Sequence, residues 1–164
     1  MKRILVFLVL FSTFYNANAQ LYKTAYGLKV GWIAGVSAKH FLSEKSAVEG
    51  NLDIQHKGFI LTSTYQYNFD VKKIETFKWF LGAGVHFGLW DESVTWATIK
   101  QPVYIGGITF IAGIEYRFEN LPLSLSLDLT PRLNFFGNNM FWAYGGFTIR
   151  YTIDFPVEED EINN

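Results

Sequence analysis

The chain contains no cysteine, and it has only four prolines and three histidines among its 164 residues. Without cysteine it can form no disulfide bond and can carry no lipid anchored through an N-terminal cysteine. Charged residues make up 18% of the chain, against roughly 25% in typical soluble domains. No apolar run after residue 19 reaches the length of a membrane-spanning helix. These absences exclude a disulfide scaffold and a helical membrane protein.

The first 19 residues have the three-part pattern of a secretory signal peptide. A basic start, an apolar core at residues 4–11 and the small-residue cleavage signal Ala17-Asn18-Ala19 follow one another. Cleavage would leave Gln20 at the start of the mature chain. We therefore predict a signal peptide at 1–19, a β-barrel domain at 20–155 and an acidic periplasmic tail at 156–164.

The mature chain is apolar and slightly acidic. Loss of Lys2 and Arg3 with the signal peptide would lower the number of basic residues from 14 to 12, against 15 acidic residues. Such a balance does not suggest a nucleic-acid partner. Aromatic residues reach 18%. Because this apolar content comes without a helical span, it favours a transmembrane β-barrel.

Apolar and polar residues alternate along most of the mature chain, most strictly between Ile108 and Arg132. Ile114 and Tyr116 flank Glu115, and the leucines of residues 123–129 occupy every second position. Strict alternation is the signature of a β-strand with one apolar and one polar face. The short polar segment 119–122 joins the two strands, so this stretch predicts a β-hairpin that the rest of the chain repeats.

Seven alternating stretches can be counted directly, whereas bacterial single-chain barrels have an even number of strands. We predict a hidden hairpin near residues 32–35, flanked by Gly31 and Gly35, which would raise the count to eight. The predicted fold is therefore all-β, an eight-stranded antiparallel up-and-down transmembrane β-barrel with both chain ends in the periplasm. Pro131 cannot donate a ladder hydrogen bond, so we expect the seventh strand to bulge or end near it.

The two faces of the strands differ in size and charge. Large aromatic and aliphatic side chains occupy one face and suit lipid, whereas glycine, serine and charged residues occupy the other and suit a cramped interior. Ionised groups in such an interior should pair, because an unpaired buried charge is costly. We predict a structural polar network in the lumen; a small pore or a ligand cleft is the alternative. Its members are Lys29, Lys39, Glu49, Asp53, Lys78, His86, Glu115, Arg117, Asp128, Arg132, Arg150 and Asp154.

Several aromatic residues lie near the predicted strand ends, where tryptophan and other aromatics anchor proteins in the membrane interface. Outer-membrane lipid is thus the first predicted partner. The alternative is adhesion, or capture of an extracellular partner, by loop 89–103. The predicted interface aromatics are Trp79, Trp90, Trp96, Phe135, Phe136, Phe141, Trp142 and Phe155.

A family resemblance rests on the stretches Gly27-Leu-Lys-Val-Gly-Trp, Ala38-Lys-His-Phe, Trp79-Phe-Leu-Gly-Ala-Gly-Val-His, Gly113-Ile-Glu-Tyr-Arg-Phe, Leu121-Pro-Leu-Ser-Leu-Ser-Leu-Asp and Ile149-Arg-Tyr. Through them the chain resembles the small, largely uncharacterised outer-membrane β-barrel proteins that are similar to the OmpX and OmpA transmembrane barrels. The resemblance covers almost the whole mature chain and implies location in the outer membrane and a porin-like fold. It also implies that the barrel assembly machinery recognises the C-terminal strand through Phe147, Ile149, Tyr151, Ile153 and Phe155.

These patterns favour a structural or interaction protein that contributes to envelope integrity or presents loops to partners, without an open pore. An outer-leaflet enzyme acting on lipid A is one alternative, with His86 as its general base. A soluble, lipocalin-like ligand-binding barrel with reversed faces is another. We predict no catalytic residue, cofactor or metal, because the chain has no metal-ligand spacing, phosphate-binding loop or nucleotide fingerprint.

Overall fold

The protein is a closed antiparallel barrel, seen in a computed structural model that describes residues 22–55, 58–71, 74–90, 103–137 and 140–153. Each strand pairs with the next, and the last pairs with the first. The predicted eight-stranded up-and-down fold is therefore confirmed. No helix in these ranges is long and apolar enough to cross a membrane. The strands are β1 (Thr24–Gly31), β2 (Ala34–Phe41), β3 (Ser46–Gln55), β4 (Gly58–Val71), β5 (Ile74–Trp90), β6 (Val103–Arg117), β7 (Leu123–Phe136) and β8 (Phe141–Ile153).

The hairpin that was predicted near residues 32–35 to make the strand count even is present in the structure. β1 ends at Gly31 and β2 begins at Ala34, so only Trp32 and Ile33 lie between them. The two strands pair antiparallel from the Thr24 level up to Lys29. The prediction of two short strands in place of one long strand is confirmed.

The strands are tilted, as closure of a barrel requires. Hydrogen-bonded partners can be followed around the wall from Tyr26 through every strand to Phe141 in β8. Tyr26 itself pairs with Tyr151, ten positions further along β8. This stagger brings distant parts of the sequence face to face across a narrow interior.

Of the two outcomes expected near Pro131, a bulge or the end of the strand, the seventh strand shows a bulge and does not end there. β7 continues to Phe136, and Pro131 pairs with Ala143 of β8. The register shift lies further on, opposite the Gly106–Gly107 step of β6. On the β6 side, Thr109 and Ala112 have partners in β7, but the two residues between them have none, and Pro131 lies in this gap. Because no hydrogen bond to β6 is needed there, the absent N–H of proline does not end the strand.

The barrel has two distinct ends. We call the end that holds the start of β1 and the end of β8 the proximal end. The opposite, distal end holds the β1–β2 turn and the starts of β4 and β6.

Several predicted features lie outside the described residues: segments 1–19 and 156–164, Asp154, Trp96 and Phe155, and most of loop 89–103.

Candidate functional site: the outward wall and the closed interior

The outward face of the barrel is almost entirely apolar. Ile114 and Tyr151 are 41% and 42% exposed, whereas Asp128 and Arg150 are buried inside. Among the strand side chains that the structure describes, no lysine, arginine, aspartate or glutamate alternates with these apolar residues on the outward face. Soluble monomers rarely expose a continuous apolar surface larger than a few hundred Å². A wall that is apolar all round therefore needs an apolar surrounding.

Aromatic clusters mark both ends of this wall. At the proximal end, the Phe69 and Trp79 rings stack at 4.0 Å, and Tyr67 meets Phe69 edge-on at 4.9 Å. At the distal end, the Phe87 and Tyr104 rings lie 6.4 Å apart. Aromatic girdles at both interfaces are typical of membrane barrels. The predicted interface residue Trp79 thus lies in the proximal aromatic cluster.

The distance between two outward aromatic residues of β4 matches the thickness of an apolar membrane layer. Phe59 and Phe69 face outward at the two ends of β4. Ten residues at about 3.4 Å each, tilted by about 40°, rise about 26 Å along the barrel axis. The apolar band of outer-membrane barrels is about 25 Å tall. The wall therefore has the height of a hydrocarbon layer.

A β-bulge turns two consecutive phenylalanines outward at the distal end of β7. Asn134 pairs with Gly107 and Phe136 with Gly106, so Phe135 has no partner on β6. Phe135 is 71% exposed and Phe136 is 52% exposed. The Phe136 ring packs directly over Gly106, where a Cβ would collide with it. Because a bulge re-aims side chains, both rings reach the outward surface.

Among the residues that the structure describes, four buried ion pairs cross the interior. Lys29 pairs with Asp128 at 2.7 Å and Lys39 with Glu115 at 2.6 Å. The other two pairs are Arg132–Asp53 at 3.2 Å and Arg150–Glu49 at 2.6 Å. Each pair joins two strands that are not hydrogen-bonded neighbours. Eight of the predicted lumen residues thus form ion pairs that connect non-adjacent strands across the interior.

The Arg150–Glu49 pair is the centre of the proximal network. Arg150 also donates to Ser37 at 3.0 Å and to Ser126 at 2.8 Å. Glu49 accepts further hydrogen bonds from Ser37 at 2.9 Å and from Gln66 at 2.6 Å. A buried ion pair is tolerated only when additional hydrogen bonds satisfy its remaining atoms. These neighbours meet that requirement for both charges.

In the distal half of the interior, Arg132 is held by Asp53, Thr62 and Tyr144. Its guanidinium donates to Thr62 at 2.8 Å and to the Tyr144 hydroxyl, and it lies 4.4 Å from the Tyr144 ring centre. The Tyr144 hydroxyl in turn donates to Asp53 at 3.1 Å. A tyrosine therefore joins the ion pair as both a hydrogen-bonding and a ring partner.

His86 is a buried member of the interior and not a surface group. Its Nδ1 lies 2.8 Å from the Thr109 hydroxyl, and its Nε2 lies 2.7 Å from the Asn134 side-chain oxygen. Both ring nitrogens thus have polar partners within the barrel. Among the described residues, no three His, Asp or Glu side chains are grouped so as to hold a metal ion.

Apolar side chains close the interior at both ends. Tyr22, Ala25, Phe41 and Ala47 form a buried cluster at the proximal end. Ile33, Ile60 and Ile105 form another at the distal end. The ion pairs lie between these two clusters, and so the polar interior is sealed above and below by apolar groups.

Two predicted residues, Lys78 and Trp142, lie elsewhere than expected, whereas Arg117 lies at the proximal end of the interior. Lys78 pairs with Asp70 at 3.1 Å on the proximal rim and joins none of the cross-barrel pairs. Arg117 is half-buried, with its guanidinium 5.8 Å from the Tyr22 ring centre. Trp142 is half-buried and shares the inward side of β8 with the buried Tyr144, so it does not lie with the outward aromatics. The alternation of a strand explains Trp142, because even positions of β8 point inward.

Sequence reasoning missed the apolar contribution to the interior. Phe80 interrupts the alternation of β5, and it is buried with Lys39 Nζ 4.7 Å from its ring centre. Ile111 and Tyr144 also occupy inward positions. For all three, the available signal was an apolar residue at a position where the alternation predicts a polar one. Tyr22 gave no such signal, because it precedes the first strand.

A closed antiparallel barrel with an apolar outside and an ion-paired inside is the architecture of a membrane-type β-barrel. No protein-family model matches the chain, and no curated protein matches its sequence. Among solved structures it is similar to the crystal structure of the N-terminal β-barrel domain of Pseudomonas aeruginosa OprF, with a TM-score of 0.64 at 13% sequence identity. The match covers 82% of this chain and 100% of that chain. The likeness is one of fold, namely a β-barrel.

Proposed function

We propose that the protein is an integral outer-membrane barrel of the structural or interaction type, with no open pore. The observation that carries this proposal is a wall that is apolar outside and polar inside, the reverse of a soluble protein. Ion pairs connect the strands across the interior, and apolar clusters close its two ends. Such a barrel would span the lipid layer without forming a channel. Export would use the signal peptide at 1–19, and the proximal end would face the periplasm.

Two roles fit such a barrel, namely maintenance of envelope integrity and presentation of loop 89–103 to an extracellular partner. A deletion strain tests both when it is complemented with the wild-type protein and with a variant whose residues 91–102 are replaced by a short glycine-serine turn. If the barrel itself maintains the envelope, both proteins restore resistance to a hydrophobic dye and to detergent. If the loop acts, only the wild type restores it. An unchanged envelope in the deletion strain would contradict the integrity role.

Assembly in the outer membrane is proposed to use the C-terminal strand. Phe147, Ile149 and Tyr151 are exposed on the outward face of β8, and they belong to the proposed signal that runs on to Phe155. Tyr151→Ala should therefore slow insertion by purified assembly machinery in vesicles. Leu129→Ala, at another exposed apolar position of the wall, is the matched control. Equal insertion rates for the two variants would contradict this role of β8.

The structure gives less support to the two alternatives. His86 is buried among Thr109 and Asn134, and so lipid at the outward wall does not contact it. Mass spectrometry of lipid A from the deletion strain should show unchanged acylation, and a change would favour the enzyme. A soluble ligand-binding barrel would need its aromatic side chains inside. Recovery of the protein from the periplasm without detergent would favour that reading.

A further inference from the structure

The wall of the barrel is much shorter on one side than on the other. β1 and β2 have eight residues each, whereas β5 has 17 and β6 has 15. The exposed aromatic residues Tyr116 and Tyr104 of β6 are twelve positions apart, about 31 Å along the barrel axis. On the β1 side, the exposed Tyr26 and Trp32 are six positions and about 16 Å apart. At β1 the wall is therefore shorter than the apolar band of about 25 Å that membrane barrels present.

The distal rim has a step where β8 meets β1. β1 ends at Gly31, which pairs with Gly146, while β8 continues distally to Phe141. Residues 141–145 of β8, with an axial rise of about 13 Å, thus lie beyond the end of β1. Their other edge is paired with β7. Among the described residues, no strand pairs with the edge that faces β1.

This step exposes hydrogen-bonding groups of the backbone. The amide of Asn134 donates to the carbonyl of Met140 at 2.9 Å, so the backbone groups of Met140 point toward β7. Because this direction alternates along an antiparallel strand, the N–H and C=O groups of Phe141 and Ala143 point away from β7, into the space beyond the end of β1. Hydrocarbon cannot satisfy such groups. The step therefore needs polar surroundings at a height where the neighbouring wall is apolar.

A tryptophan lies at the foot of the step, and the opposite belt of aromatic residues is level. Trp32 is 82% exposed, and tryptophan favours the membrane–water interface. Four strand pairings, half of the full circuit, lead from Tyr26 to Val85 on the opposite side of the barrel, a rise of about 13 Å. Trp79 is six positions back toward the proximal end of β5, within about 3 Å of the height of Tyr26. Tilting the barrel to level its distal rim would therefore unlevel the proximal belt.

We propose, resting on the membrane function proposed above, that the barrel thins the distal leaflet at this step. Lipid head groups and water descend to the level of Trp32 and hydrogen-bond to the backbone of Phe141 and Ala143. Beside β5 and β6 the leaflet keeps its full thickness. The occupant is membrane lipid, because the step is continuous with the lipid-facing wall and has an interfacial tryptophan at its foot. An extended peptide added to the edge of β8 is the competing occupant, and it would leave the leaflet thick.

Two spin labels at one height can test the thinning, because the chain has no cysteine of its own. Val30 is four positions distal to Tyr26 on β1. Phe110 of β6 is two positions proximal to Ile108, which is the partner of Val85. Val30 and Phe110 are both exposed on the outward face, and both stand about 10 Å above Tyr26 along the barrel axis. A leaflet of even thickness would therefore place them at equal depth.

The Val30→Cys and Phe110→Cys barrels are labelled with a nitroxide in vesicles of palmitoyl-oleoyl phosphatidylcholine. Depth is measured from spin relaxation by oxygen and by a polar nickel chelate. Trp32 is two positions beyond Val30, whereas Tyr104 is six positions beyond Phe110. We therefore expect the label at Val30 to lie about 10 Å nearer to the distal head groups than the label at Phe110. Equal depths within the bilayer would overturn the proposal and favour the peptide.

A second pair of labels separates thinning from a tilt of the barrel. Tyr26→Cys and Leu81→Cys lie on opposite sides near the proximal belt, and their heights differ by about 3 Å. Thinning of the distal leaflet leaves this small difference unchanged. A tilt large enough to explain the result at Val30 would change it by about 10 Å. A change of that size at the proximal pair would overturn the proposal.

Arginine substitutions give an independent measurement without a label. Phe110→Arg places a charge near the bilayer midplane and should raise the unfolding equilibrium constant in vesicles about 30- to 1000-fold, whereas Val30→Arg, close to the descended head groups, should raise it at most about fivefold. Equal effects of the two substitutions would contradict the thinning. If the nickel chelate instead relaxed both labels as it does in water, and the heat-dependent gel shift were absent, membrane insertion itself would be refuted, and with it the function proposed above.

Discussion

The outward wall and the interior belong to the same eight strands, yet their side chains are held in different ways. Outward residues such as Leu127 and Val85 are apolar and exposed, so it is the surrounding medium that favours them and not one particular partner. Inward residues such as Arg150 and Glu49 each have several specific partners. The wall is therefore defined by composition, and the interior is defined by pairing. Substitutions of the same kind should have different effects on the two faces.

The largest effect should come from removing one interior charge. Arg150→Met leaves Glu49 buried without its cross-barrel cation, and breaking a buried pair in this way costs about 3–5 kcal/mol. Unfolding by urea in phospholipid vesicles, followed by tryptophan fluorescence and the heat-dependent gel shift, measures the loss.

The matched control is Lys78→Met on the proximal rim, because the Asp70 side chain of that pair is 58% exposed. A solvent-exposed pair contributes at most about 1 kcal/mol, so the loss should be small. Adding Glu49→Gln to Arg150→Met should recover part of the stability. Equal losses at the rim and in the interior would show that the cross-barrel pairs do not brace the barrel.

A charge placed on the wall tests the other face. Leu127→Arg, midway along β7 and exposed, should lower the free energy of unfolding in vesicles by about 2–4 kcal/mol, as arginine does near the bilayer midplane. Phe135→Arg at the distal rim should cost about 0–1 kcal/mol, because the penalty falls toward the interface. In water the exposed Leu127 site would accept arginine freely. A neutral result at Leu127 in lipid would therefore contradict the membrane placement.

The smallest expected effects come from adding one methyl group to a strand glycine. A Cβ at Gly84, on the inward side, would collide with the backbone of Ser63 and Thr64, so Gly84→Ala should destabilise by about 1–3 kcal/mol. A Cβ at Gly50 meets nothing within 4 Å. Gly50→Ala should be neutral or stabilising by up to about 1 kcal/mol, since it reduces backbone entropy of the unfolded chain. The same urea titration compares them, and equal costs would mean that the interior is less tightly packed than the structure shows.

Local pattern accounts for the parts of the fold that could be predicted. Alternation depends only on neighbouring positions, so the faces of Ile114, Glu115 and Tyr116 were readable without any knowledge of partners. The existence of the hairpin at Trp32 and Ile33 followed from the even strand count, and the glycines Gly31 and Gly35 indicated its position. Phe80 and Tyr144 were missed because alternation assigns a face and cannot say that an aromatic ring will stack against a buried cation.

The local sequence pattern could not predict which charged residues pair across the interior. Lys39 and Glu115 are 76 positions apart, and they meet only because the barrel closes with a ten-residue stagger. A different stagger with the same alternation would pair the same charges differently. Tyr22 is the extreme case, because it lies outside any strand and its burial depends on the shape of the finished proximal end.

The sequence by itself determined which residues form strands, how many strands there are and which face of each meets an apolar surrounding. These properties follow from the two-residue period of the extended chain and from the rule that a closed wall leaves no unpaired edge. Only the tertiary structure decided which charges pair across the interior, which apolar groups close its ends and where Tyr22 lies. Those contacts depend on the stagger and tilt of the closed barrel, which no single strand encodes.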